Sequence, residues 1–121
     1  MKKHYSRSKV IYLIEPDMAI TDVMAIMFAE DGHRPIISKK PFDVKDLYIH
    51  RPDIIILDNG PDNKGIEICR QIKNDNLTSS IDIIISSTDA RLPQWAKEYD
   101  VTAYIQKPFD VDHFCSLVAT L

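Results

Sequence analysis

The sequence predicts an α/β fold, an open and doubly wound sheet of five parallel strands with helices on both faces, (βα)5 in three layers. Three observations predict it. Five short apolar runs recur along the 121 residues, and the strongest are continuous and β-branched, as strands buried on both faces are. The segments between them change to a helical period. Each crossover is long enough for a right-handed βαβ unit, so β-α repeated five times gives a parallel sheet covered on both sides.

The first strand is Val10-Ile11-Tyr12-Leu13-Ile14. After it Ile20, Val23, Met24, Met27 and Phe28 fall at i, i+3, i+4, i+7 and i+8, one stripe of a helix, and Gly32 stands where a helix ends on a left-handed residue. The second run, Pro35-Ile36-Ile37, is short, and Pro35 has no N–H for a ladder, which puts this strand at an edge. Val44, Leu47 and Tyr48 mark a short second helix that Pro52 ends. The third strand is Asp53-Ile54-Ile55-Ile56-Leu57, and its helix carries Ile66, Cys69 and Ile72. The fourth strand is Asp82-Ile83-Ile84-Ile85, followed by a weaker helix over 92–99 that holds Trp95 and Ala96. Ala103-Tyr104-Ile105 is the fifth strand. Val111, Phe114, Cys115, Val118 and Leu121 form the last helix, with Asp110 placed to cap it.

Composition excludes several classes. An apolar fraction of 45% with 27% charged residues is that of a globular chain rather than a disordered one. No apolar run approaches the roughly 18 residues of a membrane span. A net charge of −3 provides no basic field, so direct nucleic-acid binding and membrane association are not expected. The 2 cysteines, Cys69 and Cys115, lack metal spacing and read as small buried hydrophobes, consistent with a cytoplasmic protein. Residues 1–9 are basic without an apolar segment of signal-peptide length behind them and read as a solvated leader to a domain over residues 10–121. His33, His50 and His113 read as surface or helix-end histidines, and Lys39-Lys40 as a solvated loop pair.

In such a sheet ligands bind outside the carboxyl ends of the strands, at the topological switch point. There the chain places Glu15-Pro16-Asp17 after the first strand, Asp58-Asn59-Gly60 after the third, Ser86-Ser87-Thr88 after the fourth and Lys107-Pro108 after the fifth. Crowded carboxylates raise one another's pKa unless a cation joins them, and Mg²⁺ suits oxygen ligands of this kind. A lysine and a hydroxyl beside them are what a phosphoryl group needs, and an aspartate at the centre is a candidate nucleophile.

These residues resemble the receiver domain of two-component response regulators, of the chemotaxis-regulator type, over nearly the whole chain. The resemblance rests on Val10-Ile11-Tyr12-Leu13-Ile14-Glu15-Pro16-Asp17, Pro52-Asp53-Ile54-Ile55-Ile56-Leu57-Asp58, Gly65-Ile66-Glu67-Ile68-Cys69-Arg70 and Tyr104-Ile105-Gln106-Lys107-Pro108-Phe109, in that order. It implies the flavodoxin-like fold with strand order 2-1-3-4-5. By position it implies that Asp58 is the phosphoacceptor and that Lys107 pairs with it and then with the phosphoryl group. It makes Ser87 the hydroxyl that meets the phosphoryl oxygen, with Ser86 and Thr88 as flanking alternatives. Tyr104 is then a switch aromatic, the Lys107–Pro108 peptide cis, and the Mg²⁺ ligands Glu15, Asp17, Asp58 and the carbonyl of Gly60. The implied partners are a histidine kinase or phosphotransfer protein, and an output domain or protein on the face of helix 4, strand 5 and helix 5, with a weak homodimer also open. The implied chemistry is self-phosphorylation and slow self-dephosphorylation rather than conventional enzyme turnover.

The departures from the family bear on function. Pro16 stands where a second acidic metal ligand is usual, so Mg²⁺ is expected to bind more weakly. The stretch from Asp58 to Gly65 is shortened, with Pro61 arriving early, and the segment from Thr88 to Lys107 is also short, which predicts a clipped fourth helix. Asp100 occupies a turn position where glycine is common. A degenerate pseudo-receiver that binds partners without phosphorylation is the alternative these departures leave open. A flavin carrier is disfavoured because Glu15-Pro16-Asp17 would repel a phosphate, and an aspartate phosphatase because the first of its two acids is missing. The apolar ending at Leu121 leads to the expectation of a receiver cut from a longer regulator or hybrid kinase.

Overall fold

A computed structural model describes residues 7–60 and 62–121. The chain runs β1 (Val10–Ile14), α1 (Met18–Glu30), β2 (Arg34–Ile37), α2 (Lys45–His50), β3 (Ile54–Asp58), α3 (Lys64–Asn74), β4 (Asp82–Ser87), α4 (Leu92–Glu98), β5 (Ala103–Gln106) and α5 (Val111–Thr120). All pairings are parallel and the sheet order is β2-β1-β3-β4-β5. Pro35 lies on the β2 edge, as its missing N–H requires.

The period-2 alternation along each buried strand divides the core in two. Ile11, Leu13, Ile54, Ile56 and Ile84 point to one face and pack with Met24, Phe28, Phe114 and Val118 of α1 and α5. Tyr12, Ile14, Ile55, Leu57, Ile83 and Ile85 point to the other, against Leu47, Ile66, Cys69, Ile72 and Leu92 of α2, α3 and α4. Each large side chain so buried contributes roughly 1.5–3 kcal/mol, and the β-branched runs fit because they meet apolar atoms on both sides.

Helix ends follow local chemistry. Asp17 caps α1, accepting the amides of Ala19 at 2.9 Å and Ile20 at 3.4 Å, and Asp110 caps α5 through Asp112 at 2.9 Å. The fourth helix is short, 7 residues, and Asp100 after it takes φ +52°, a value an aspartate tolerates. The Lys107–Pro108 and Lys40–Pro41 peptides are both cis.

Two sequence expectations need correction. Residues 7–9, read as the end of a solvated leader, join the fold: Lys9 is buried, its N–H donates to His33 Nδ1 at 3.1 Å, and Ser8 donates to the carbonyl of Gly32. Residues 1–6 lie outside the described part, as does Pro61. His33 is buried rather than superficial, and burial first, then the Lys9 charge, lowers its pKa. Tyr12, within the first strand, is fully buried with a polar partner: its hydroxyl donates to Asp46 Oδ2 at 2.5 Å and lies 3.3 Å from the Ser38 hydroxyl. Burial and the Asp46 hydrogen bond push its pKa up to about 12.

Candidate functional site

β1 and β3 are neighbours whose helices leave in opposite directions, so a crevice opens at their carboxyl ends. Asp58, the last residue of β3, sits there and is buried. Its register partner on β4 is Ser86, on the same side of the sheet. Ser86 Oγ donates to Asp58 Oδ1 at 3.3 Å, and the same oxygen is ion-paired with the Lys107 ammonium, brought in just beyond β5. Asp58 Oδ2 accepts the Gly60 N–H at 2.9 Å. One carboxylate thus collects an ammonium, a hydroxyl and an amide, and a charge-assisted pair of this kind is strong because few waters screen it.

Among the residues singled out from sequence, Glu15, Asp58, Gly60 and Lys107 converge. Ser87 is buried next to the site, but its Oγ accepts the Asp89 amide at 3.0 Å, and the flanking Ser86 is the hydroxyl on Asp58. Asp17 is exposed and its carboxylate is engaged on the α1 amides. Tyr104 lies on β5 with its side chain 44% exposed.

Glu15 at the end of β1 is buried, and its Oε2 has no hydrogen-bond partner. Burial pushes its pKa up to about 7, the Asp58 charge and a hydrogen bond with Asp58 add to this, and Lys107 opposes it. An orphaned carboxylate oxygen facing a second carboxylate is what a hard cation would satisfy. Among the described residues no three His, Cys, Asp or Glu side chains gather as a metal-holding group. The donors therefore fit a water-rich Mg²⁺ on one or two carboxylates, completed by phosphate oxygens, and not a closed protein cage.

The loop after Asp58 is held by a residue that sequence reasoning passed over. Asn59 is 1% exposed; its Oδ1 accepts the Ile66 amide at 3.0 Å and its Nδ2 donates to Asn63 Oδ1 at 2.9 Å. Its backbone N–H donates to the Ser86 carbonyl and its carbonyl accepts from Gly65. Asn59 thus caps α3 from a distance, since Asn63, the residue preceding the helix, makes no side-chain cap. The shortened loop is tight: a Cβ on Gly65 would collide with the Asn59 Cα and stand 2.7 Å from the Asp58 carbonyl oxygen, and Gly60 takes φ +74°. The only sequence signal was Asn59 itself, a polar residue directly after an apolar strand.

Comparison with known proteins agrees with this geometry. The family described as the response regulator receiver domain matches residues 11–119. The chain is 29% identical over 105 residues to the phosphate regulon transcriptional regulatory protein PhoB of Pseudomonas aeruginosa, covering 84% of this chain and 46% of that protein. It is 36% identical over 70 residues to the response regulator ArlR of Staphylococcus saprophyticus, covering 57% of this chain and 31% of that one. The chain therefore spans less than half the length of these curated relatives. The crystal structure of a response regulator signal receiver domain from Bermanella marisrubri superposes with a TM-score of 0.82 at 24% identity, covering 95% of this chain and 98% of that one, a likeness of fold.

Proposed function

The chain belongs to the response regulator receiver domain family, and on that premise we propose that it accepts a phosphoryl group on Asp58 and switches a partner-binding face. Receiver domains are signalling modules that hold Mg²⁺ at their acidic pocket and work with histidine kinases and output domains. The observation that carries the proposal is the Asp58 carboxylate gripped by the Lys107 ammonium, the Ser86 hydroxyl and the Gly60 amide at the switch point of the sheet.

In the transfer, an oxygen of Asp58 bonds to the phosphorus of a phosphohistidine while the N–P bond breaks and its electron pair returns to the imidazole, which takes up a proton. Lys107 and the hydroxyls of Ser86 and Ser87 are the groups that meet the developing phosphoryl charge. Bound Mg²⁺ supplies neutralisation of phosphoryl oxygens, and Glu15, Asp58 and the Gly60 carbonyl are the groups that would hold it, with Asp17 brought in only by giving up its helix cap. Replacing the carboxylate charge of Asp58 by a phosphoryl group of about −2 adds roughly one negative charge and three acceptor oxygens, which favours a state in which Lys107 and the serine hydroxyls turn onto the phosphoryl group, and Tyr104 is the residue through which α4, β5 and α5 would register the change. In this reading residues 10–121 are the receiver. Its donor is a histidine kinase or phosphotransfer protein and its reader an output domain or protein on the face of α4, β5 and α5, with a weak homodimer as a further partner state. Among the described residues no helix is long and apolar enough to cross a membrane; in this reading the signalling is cytoplasmic.

Incubation with an acyl phosphate and Mg²⁺, read by intact mass, tests the proposal. One phosphoryl adduct in the native chain and none in Asp58→Asn is the expected result. No adduct at millimolar Mg²⁺ favours the second reading, a pseudo-receiver that binds partners without phosphorylation, for which the observation is Pro16 beside an Asp17 spent on the α1 cap.

A further inference from the structure

At the β1–α1 turn, Pro16 has only its carbonyl to offer the site. The structure puts a cation on that carbonyl. Lys40, from the loop between β2 and α2, donates its ammonium to the Pro16 carbonyl at 3.3 Å and leans on Met18 Sδ at 3.6 Å. Lys40 and Asp58 line one groove of about 890 Å³, together with Glu15, Pro16 and Gly60. The groove's lining carries as many basic as acidic side chains, Lys39, Lys64 and Arg70 among the former with Lys40, and the ammoniums that contact its Glu15–Asp58 end are Lys107, on Asp58, and Lys40, on the Pro16 carbonyl. A divalent cation entering this set is opposed by both lysines. A phosphoryl group, with a charge of about −1.5 to −2 near neutral pH, is drawn by both.

Building on the phospho-accepting reading, we infer that Lys40 is a second phosphoryl-binding cation of this site, which spares the domain part of its need for a metal. The Lys40 side chain is exposed, and the contacts it makes to Pro16 and Met18 are weak enough to be exchanged for an incoming phosphoryl oxygen. Lys107 already spends its charge on Asp58, so the second ammonium meets the part of the group that Lys107 does not cover. The reaction is ordinary acyl-phosphate transfer: an Asp58 oxygen bonds to phosphorus, the bridging O–P bond breaks, and the electron pair leaves on the carboxylate product.

The test combines two readouts on the whole chain, its Lys40→Gln and Lys40→Glu variants, and Lys45→Gln as a charge control outside the groove. In chelator, phosphoryl uptake from acetyl phosphate is expected to fall about tenfold in Lys40→Gln, and the difference to shrink at saturating Mg²⁺. Mg²⁺ affinity, followed by the NMR shift of the Gly60 amide without any phosphodonor, is expected to rise about threefold in Lys40→Gln and about tenfold in Lys40→Glu. Lys45→Gln is expected to stay within about twofold of the native chain in both, because Lys45 is exposed on α2 and is not among the groove's lining residues, so its charge is screened. Equal uptake by the native chain and Lys40→Gln in chelator overturns the inference alone, as does Mg²⁺ affinity unchanged or undetectable in Lys40→Glu. Uptake by none of the proteins, with or without Mg²⁺, overturns the phospho-accepting reading and this inference with it.

Discussion

On one side of Asp58, β4 and β5 bring a hydroxyl and an ammonium onto a single carboxylate oxygen. On the other side, β1 ends in a buried glutamate with an orphaned oxygen, a proline, and an exposed aspartate spent on a helix cap. The first side is built from groups that hold anions, and each has a partner. In the proposed reading the second is the cation side, where a proline takes the place of an acid and Asp17 is held on the helix cap. In receivers the two tasks go together, phosphoryl transfer and metal binding, and here their residues are unequally provided. On the proposed reading, the difference teaches that a carboxylate site can keep its phosphoryl-facing groups while its metal-facing ones thin out, because they arrive on different strands and are tied to different elements.

The comparison breaks most sharply at Lys107. Lys107→Ala is expected to slow phosphoryl uptake from an acyl phosphate by about 10²–10³, the usual cost of losing one preorganised charge donor. A loss under threefold in the same mass assay would mean the anion-holding side is dispensable. Next comes the loop that joins the two sides. Asn59→Ala strands the buried Ile66 amide and is expected to destabilise the domain by about 1–3 kcal/mol in urea unfolding. Asn59→Asp, which keeps the acceptor, should recover part of that.

The cation side can be sharpened by adding what it lacks. Pro16→Asp is expected to tighten Mg²⁺ about tenfold by restoring a carboxylate, measured by titration calorimetry. An unchanged affinity would place the weakness elsewhere. The smallest effect belongs to Glu15. Its folded pKa, about 7, lies above that of an unfolded glutamate, so the folded state holds its proton more tightly. Its contribution is therefore favourable at low pH, declines as pH rises from the unfolded value toward about 7, and is a constant penalty above it. Glu15→Gln removes that penalty. In the absence of Mg²⁺ its melting temperature relative to the native chain should climb by a few degrees between pH 5 and pH 8. A difference that stays flat with pH would mean Glu15 is not the titrating group.

Much of the fold was legible because it depends on neighbours in sequence. The runs at Ile54 and Ile83 read as buried strands, Pro35 as an edge, and Asp110 as a cap, since each statement concerns a few consecutive residues. Asp58 and Lys107 were legible for a related reason: strand ends are local, and a parallel sheet brings strand ends to one rim. The hydroxyl on Asp58 was not. Ser86 and Ser87 are equivalent in sequence, and only the pairing of Asp58 with Ser86 in the β3–β4 register sets which one shares its face. Asn59 as a cap seven positions before Ile66, Lys40 on Pro16, and the Tyr12 phenol on Asp46 all join residues that meet only after loops and helices have packed.

The sequence alone determined the βα alternation and the two-faced burial of the strands, because those follow from side-chain chemistry and spacing along the chain. Tertiary structure decided which hydroxyl serves Asp58, that Asp17 caps a helix instead of facing the crevice, that His33 and Lys9 are buried together, and that Lys40 reaches the β1 end. Those outcomes depend on strand register and loop path, where a shift of one residue moves a side chain to the other face of the sheet.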